Sequence, residues 1–346
     1  MTVKVRTADL RGYAALLKRN AEHNDAVLAY MRQWCGTEMQ AVNAEGLLAK
    51  ALNFHDRIFA DAEHLITQLG RALRGSAAEL EKVAKAYDSS DQRAMARLEM
   101  EHYNKVWTRE SWEASHTGFA DYMNPLDVLK GTPSYTEYND PTKILDKIGD
   151  TISVSGAVVN YIQELTGVNP LEKFAEFFSG NWQAYSKAAG AWRNIGEALE
   201  RIGKNIDRGL ASLDHAWDGG ASEAAYETFQ VLANVFKDML PRFSTIERVY
   251  KDFARFAMLT ASVIVDIIKI TIDTALVLLA RRKGTPLLGE AAAAFESLKI
   301  IKYIGYLGWT MVSARATVAT IFGAAAGVGK SPLRYLGIQG YDPAAV

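Results

Sequence analysis

Apolar residues that return every seven positions, over stretches far longer than a strand, constrain this chain more than any other feature. Leu52, Phe59, Ile66, Leu73, Leu80 and Tyr87 form one such series, with Leu48, Ala62, Leu69 and Val83 in a companion row. Seven residues are two helical turns, so one face of a long helix is apolar along its length and must be covered by other helices. Tyr185, Trp192, Leu199, Ile206 and Leu213 repeat the pattern, and Ala189, Gly196 and Gly203 supply small residues that let a partner helix come close. Phe229, Phe236, Phe243 and Tyr250 form a third series, flanked by Leu232, Met239, Ile246 and Phe253. Strand-like alternation is scarce, and the expected class is all-α.

Turn signals divide these helices. From the N-cap candidate Thr7, the residues Leu10, Tyr13, Leu17, Leu28 and Met31 give a first arm, with polar Asn24 inside its stripe. That arm turns either at Trp34-Cys35-Gly36 or at Asn43–Gly46, before the long second arm. Pro125, Pro133, Pro141 and Pro170 then punctuate a linker. A second hairpin follows, broken at Asp214–Phe229, where Gly219 or Gly220 supplies a positive φ, Ser222 caps the returning helix and Trp217 closes the end of the bundle. Pro241 is expected to kink that returning helix by removing a ladder donor. The expected organisation is a first hairpin (1–105), a Pro-punctuated linker with short helices (106–169), a second hairpin (170–260) and a C-terminal apolar helical hairpin (261–346).

Composition narrows the function. A net charge of −1 lacks the footprint of a nucleic-acid binder, and a single cysteine, Cys35, leaves no internal disulfide or cysteine-cluster metal site. The first residues have no apolar core of signal-peptide length, so any export is expected to use another route than the general secretory one. His55 and His64 lie on different rows of one helix and make a poor metal pair. His215 is placed to cap or hydrate a helix C-terminus. The run GAAAGVGKSP resembles a phosphate loop, but Ala324 stands where the first glycine belongs and no strand precedes it. Neither catalytic residues, nor a metal, nor a cofactor are expected.

Taken together, Trp217-Asp218-Gly219 at a hairpin turn and Tyr87-Asp88-Ser89-Ser90-Asp91 at the end of a hairpin resemble the WxG superfamily of type VII (ESX) secretion substrates in actinobacteria. The resemblance covers roughly residues 5–100 and 168–260. It implies a non-enzymatic secretion substrate or co-secreted carrier, made in the cytoplasm and secreted or held at the cell surface. Its recognition signal would comprise Tyr87, Asp91, Trp217 and Gly219. The implied partners are the ESX machinery and either a WxG-family partner or a second copy. In PE and PPE pairs the two motifs sit on separate chains; here one chain carries both and resembles a fused pair that partners itself.

Arm lengths argue for that fusion independently. At ~1.5 Å per residue, Thr7–Trp34 spans roughly 40 Å and Ala44–Tyr87 roughly 65 Å, leaving about 25 Å of stripe uncovered in its own hairpin. The expected uncovered part is Leu73–Tyr87, with the second hairpin as its cover in an elongated four-helix bundle. Two apolar segments end the chain. The first carries Asp266, Lys269 and Asp273 along one face, while the second has Arg315 as its one charge and is long enough to span a bilayer. Together with the basic Arg281, Arg282 and Lys283 between them, they leave open a soluble helical hairpin or a membrane-inserting, pore-forming effector within residues 257–328, with Trp309 and Arg315 facing the membrane or a lumen.

Overall fold

A computed structural model describes residues 5–36, 46–89, 118–133, 140–144, 156–282 and 289–325. Among these the chain is all-α, built from α1 (Thr7–Cys35), α2 (Leu47–Asp88), α3 (Gly156–Thr166), α4 (Pro170–Phe177), α5 (Trp182–Asp214), α6 (Gly220–Lys237), α7 (Met239–Arg282) and α8 (Gly289–Gly323). A 3₁₀ turn, Pro125–Leu129, lies between the two hairpins in sequence, and the described residues form no strand beyond one isolated bridge.

The seven-residue series become the core. Tyr185, Trp192, Leu199, Ile206 and Leu213 are all buried on α5, as are Phe229, Phe236, Phe243 and Tyr250 on α6 and α7. Gly196 and Gly203 do what their size suggests. A Cβ at Gly196 would lie 2.8 Å from Phe243 Cβ, and one at Gly203 2.8 Å from the carbonyl oxygen of Ala233, so α6 and α7 press directly on the α5 backbone. Both hairpins, the 3₁₀ turn and α8 contribute to a single hydrophobic core, rather than one core per hairpin.

The first hairpin is offset in a direction the arm lengths did not reveal. Ion pairs join Arg11 to Asp88, Arg74 to Asp25 and Arg32 to Glu63. The start of α1 therefore lies beside the end of α2, and Leu73 and Leu80 are covered within their own hairpin. The overhang is instead the beginning of α2, which starts well beyond the end of α1. There the second hairpin and α8 supply the cover: Phe54 stacks on Phe322 at 5.5 Å, His55 meets Tyr250 edge to face, and Leu48 packs directly on Gly180. The sequence estimate assumed a tight turn and so assigned the surplus length to the wrong end. Trp34-Cys35-Gly36 closes α1 and Gly46 precedes α2; Asn43, Ala44 and Glu45 lie outside the described residues.

Two further expectations are corrected. Pro241 does not kink a continuous helix: the chain breaks at Asp238, and Pro241 sits in the first turn of α7, where the missing donor has no intrahelical partner to lose. The boundary drawn at 260 falls inside α7, which runs unbroken from Met239 to Arg282 because nothing in that stretch stops a helix.

Helix α8 lies against α7, presenting Ile300, Leu307, Met311, Ala314, Val318 and Phe322 to the core. No described helix is long and apolar enough to cross a membrane. The second apolar segment, long enough to span, falls short in hydropathy over its described residues because Gly, Ser, Thr, Tyr and Arg315 dilute it.

Candidate functional site

The two short motifs meet at one end of the bundle. Tyr87 is in the last turn of α2, and Trp217 is in the turn between α5 and α6. The Trp217 indole N–H donates to the Tyr87 phenol oxygen at 3.3 Å, with the rings edge to face at 6.3 Å between centroids. The N-terminal chain completes the junction. Val5 forms an antiparallel bridge with Trp217, and the Arg6 N–H donates to the Ala216 carbonyl at 2.9 Å. Three segments distant in sequence are thus tied at one point.

Local chemistry explains the shape of the turn. Gly219 has φ 127° and ψ 175°, a region essentially closed to residues with a Cβ, and this lets the chain reverse straight into α6. Ser222 does not cap α6 as expected; its hydroxyl donates to the Trp217 carbonyl at 2.6 Å and so holds the turn from within. Trp217 is 1% exposed and is a packing anchor, whereas Tyr87 is half-buried and Asp218 is open to solvent. Beside Tyr87, the Arg11 guanidinium bonds to the Asp88 carboxylate and, with a further hydrogen bond from Thr7, holds that carboxyl below the usual range. Asp91 lies outside the described residues. What a partner could touch here is a small polar surface with an aromatic edge.

The remaining predicted residues are elsewhere. Trp34 packs on Tyr30 at 6.3 Å at the far end of α1, and Cys35 is fully buried, its thiol pushed well up by desolvation. That protonated, enclosed sulfur is a packing group and not a nucleophile. Trp309 is 70% exposed on α8. The Arg315 guanidinium lies 5.4 Å from the ring centre of Phe177 on α4, and Thr310 and Thr317 donate back to carbonyls one turn earlier. The side chains of Arg281, Arg282 and Lys283 are outside the described set.

Two polar clusters were not anticipated. His55, 4% exposed, bonds through Nδ1 to the Tyr250 hydroxyl, next to Trp192. Desolvation lowers its pKa to about 4, against smaller opposing contributions from Asp56 and the Cys35 backbone. It borders an open pocket of about 440 Å³ lined also by Arg32, Cys35, Asp56 and Glu63. The other cluster, Asn20, Asn205, Arg19, His23 and Asp121, joins α1 and α5 to residues 118–133. The available signal was Asn20 and Asn205 at otherwise apolar helix positions. Among the described residues, no group of three or more His, Cys, Asp and Glu is placed to hold a metal.

No protein-family profile matches the chain, and neither a curated protein nor a solved structure is significantly similar to it.

Proposed function

We propose that the chain is a type VII (ESX) secretion substrate or co-secreted carrier, read at the junction of Tyr87, Trp217 and Gly219, with Asp91 following. One observation carries the reading: the Trp217 indole donates to Tyr87 at 3.3 Å, so the tryptophan motif of one hairpin adjoins the tyrosine motif of the other. In the paired arrangement that the sequence resembles, these elements come from two chains. Here they share one core, which supports a fused, self-partnered substrate. Trp217 sets the shape of the junction from inside, and Tyr87 with the adjoining polar groups forms the face that the machinery reads.

Export from an actinobacterial host tests this. Tyr87→Ala removes a half-buried ring and is expected to retain helical content while the protein accumulates inside the cell. Trp217→Phe keeps an aromatic plug and is expected to be exported. A folded Tyr87→Ala protein exported at the normal level overturns the proposal.

A second reading rests on α8, where Phe295, Leu298, Trp309 and Val312 are each at least 60% exposed. With no described helix fit to cross a bilayer, a membrane role for residues 257–328 takes the form of a hairpin lying against the lipid surface. Vesicles of anionic lipid separate the readings. Sedimentation with vesicles that Trp309→Ser abolishes supports the membrane reading, and no sedimentation removes it.

A further inference from the structure

Residues 119–125 cross the α1–α5 seam through a series of bends and enter the 3₁₀ turn at Pro125. Alternate residues face the helices: Phe119, Asp121, Met123 and Pro125 are half-buried or buried, whereas Ala120, Tyr122 and Asn124 are exposed. Phe119, Asp121 and Met123 each meet a fitted partner. The Phe119 ring occupies the space left by Gly12, where a Cβ would lie 2.4 Å from it, and tilts against Tyr13 with ring centres 6.1 Å apart. Asp121 receives two bonds from Arg19, at 3.0 and 3.1 Å, one from Asn20 at 3.3 Å, and pairs with His23 at 3.0 Å.

Recognition at Met123 is through the main chain. Its N–H donates to Asn205 Oδ1 and its carbonyl accepts from Asn205 Nδ2, both at 2.9 Å. Asn205 is fully buried and is itself oriented by the fully buried Asn20, whose Oδ1 accepts from Asn205 at 3.1 Å. A carboxamide that bonds both polar main-chain atoms of one residue reads backbone without regard to side chain. With residues 119–125 removed, Asn205 Oδ1 loses its Met123 donor and Nδ2 keeps only its bond to Asn20, which makes an empty groove receptive to another main chain. Gly118 and Gly131, with φ of 73° and 77° and no described atom within 4 Å of a built Cβ, stand on either side of the segment.

We infer that the α1–α5 seam is a peptide-binding groove and that residues 119–125 are its tethered occupant, in competition with an external segment of the pattern aromatic-x-acidic-x-any-x-Pro that adopts the same bends. Asn205 clamps the backbone, Arg19 and His23 select the carboxylate, and the Gly12 recess takes the aromatic ring. Because the tether holds its occupant at an effective concentration of about 1 mM, external peptide enters only when the strap is weakened.

The test uses the full chain and a fluorescent peptide of residues 118–127. Wild-type protein is expected not to change the peptide's anisotropy at micromolar concentrations. The Phe119→Ala/Asp121→Ala double variant, its own strap weakened, is expected to bind, and adding Asn205→Ala to remove that binding. A peptide carrying Asp→Ala at its fourth position is expected to bind at least tenfold more weakly. A folded double variant that binds no peptide, or that binds equally well without Asn205, overturns the inference. So does a double variant that cannot fold, since the strap is then part of the core. Wild-type hydrogen exchange supplies an independent check: the Met123 amide is expected to exchange by local opening, much faster than the α5 core amides. Exchange of Met123 only with global unfolding overturns the inference.

Discussion

The Trp217 indole donates to the Tyr87 hydroxyl across 3.3 Å, joining the end of α2 to the turn between α5 and α6. Because Trp217 is also 1% exposed, most of its contribution is burial and the hydrogen bond adds to it. Trp217→Ala is expected to destabilise the fold by about 3–5 kcal/mol. Tyr87→Phe, which keeps the ring and loses the acceptor, is expected to cost about 1 kcal/mol. Urea unfolding of the single and double variants should yield a coupling of about 0.5–1.5 kcal/mol, the range for one hydrogen bond. Strict additivity would show that the two residues are neighbours without an energetic link.

His55 gives the stability a defined acid limb. Its pKa is about 4 in the folded protein, because burial disfavours the imidazolium, against 6.5 when free. The unfolded chain therefore binds the proton first. The contribution is complete above pH 6.5, falls as pH drops through the window from 6.5 to about 4, and changes no further below it. The span corresponds to about 3 kcal/mol at ~1.36 kcal/mol per pKa unit. His55→Gln retains a hydrogen-bonding partner for Tyr250 and does not titrate, so it should flatten this limb. Chemical denaturation at pH 4.5, 5.5 and 7 checks the slope, and an unchanged slope in His55→Gln excludes His55 as its source.

Much of the architecture was legible because the residues that carry it are periodic. Tyr185, Trp192, Leu199, Ile206 and Leu213 stand at one phase of one helix, and each is buried as that phase requires. Register between helices was not legible. The overhang was assigned to Leu73–Tyr87, yet the pairing of Arg11 with Asp88 places α1 over that stretch and leaves Leu47–Phe59 for α5, α7 and α8. Periodicity fixes which face is apolar and says nothing of how far one helix slides along another. The positions of Tyr87 at the end of an arm and of Trp217 at a turn were legible, whereas their meeting was not, since it depends on the same register. The Asn20–Asn205–Asp121 cluster was not, since its members are far apart in sequence and polar residues at single positions give no period.

Gly203 tests the close approach of α5 and α6. A methyl group there would lie 2.8 Å from the Ala233 carbonyl oxygen and 2.9 Å from both the Lys237 nitrogen and Phe236 Cβ. Two of those atoms are helix backbone and cannot turn away. Although alanine favours an isolated helix by about 1 kcal/mol over glycine, Gly203→Ala is expected to be net destabilising by about 1–3 kcal/mol as the helices separate. Thermal unfolding decides the sign, and a raised melting temperature would falsify the tight contact.

The two faces of α8 should respond to substitution in opposite ways. Phe322 is 2% exposed, stacks on Phe54 and packs against Tyr250 and Phe253, so it helps to cover the start of α2. Phe322→Ala is expected to cost about 3–5 kcal/mol and to speed hydrogen exchange in Leu47–Phe59, because the cavity forms where that overhang is held. Trp309 is 70% exposed on the outer face. Trp309→Ser is expected to alter monomer stability by less than about 0.5 kcal/mol, since it removes little buried area. Its effect should appear in association with lipid or with other apolar surfaces. Denaturation and exchange measured on both variants separate the roles: equal destabilisation would mean that the outer face of α8 is covered in solution, by a second copy or by another segment of the chain.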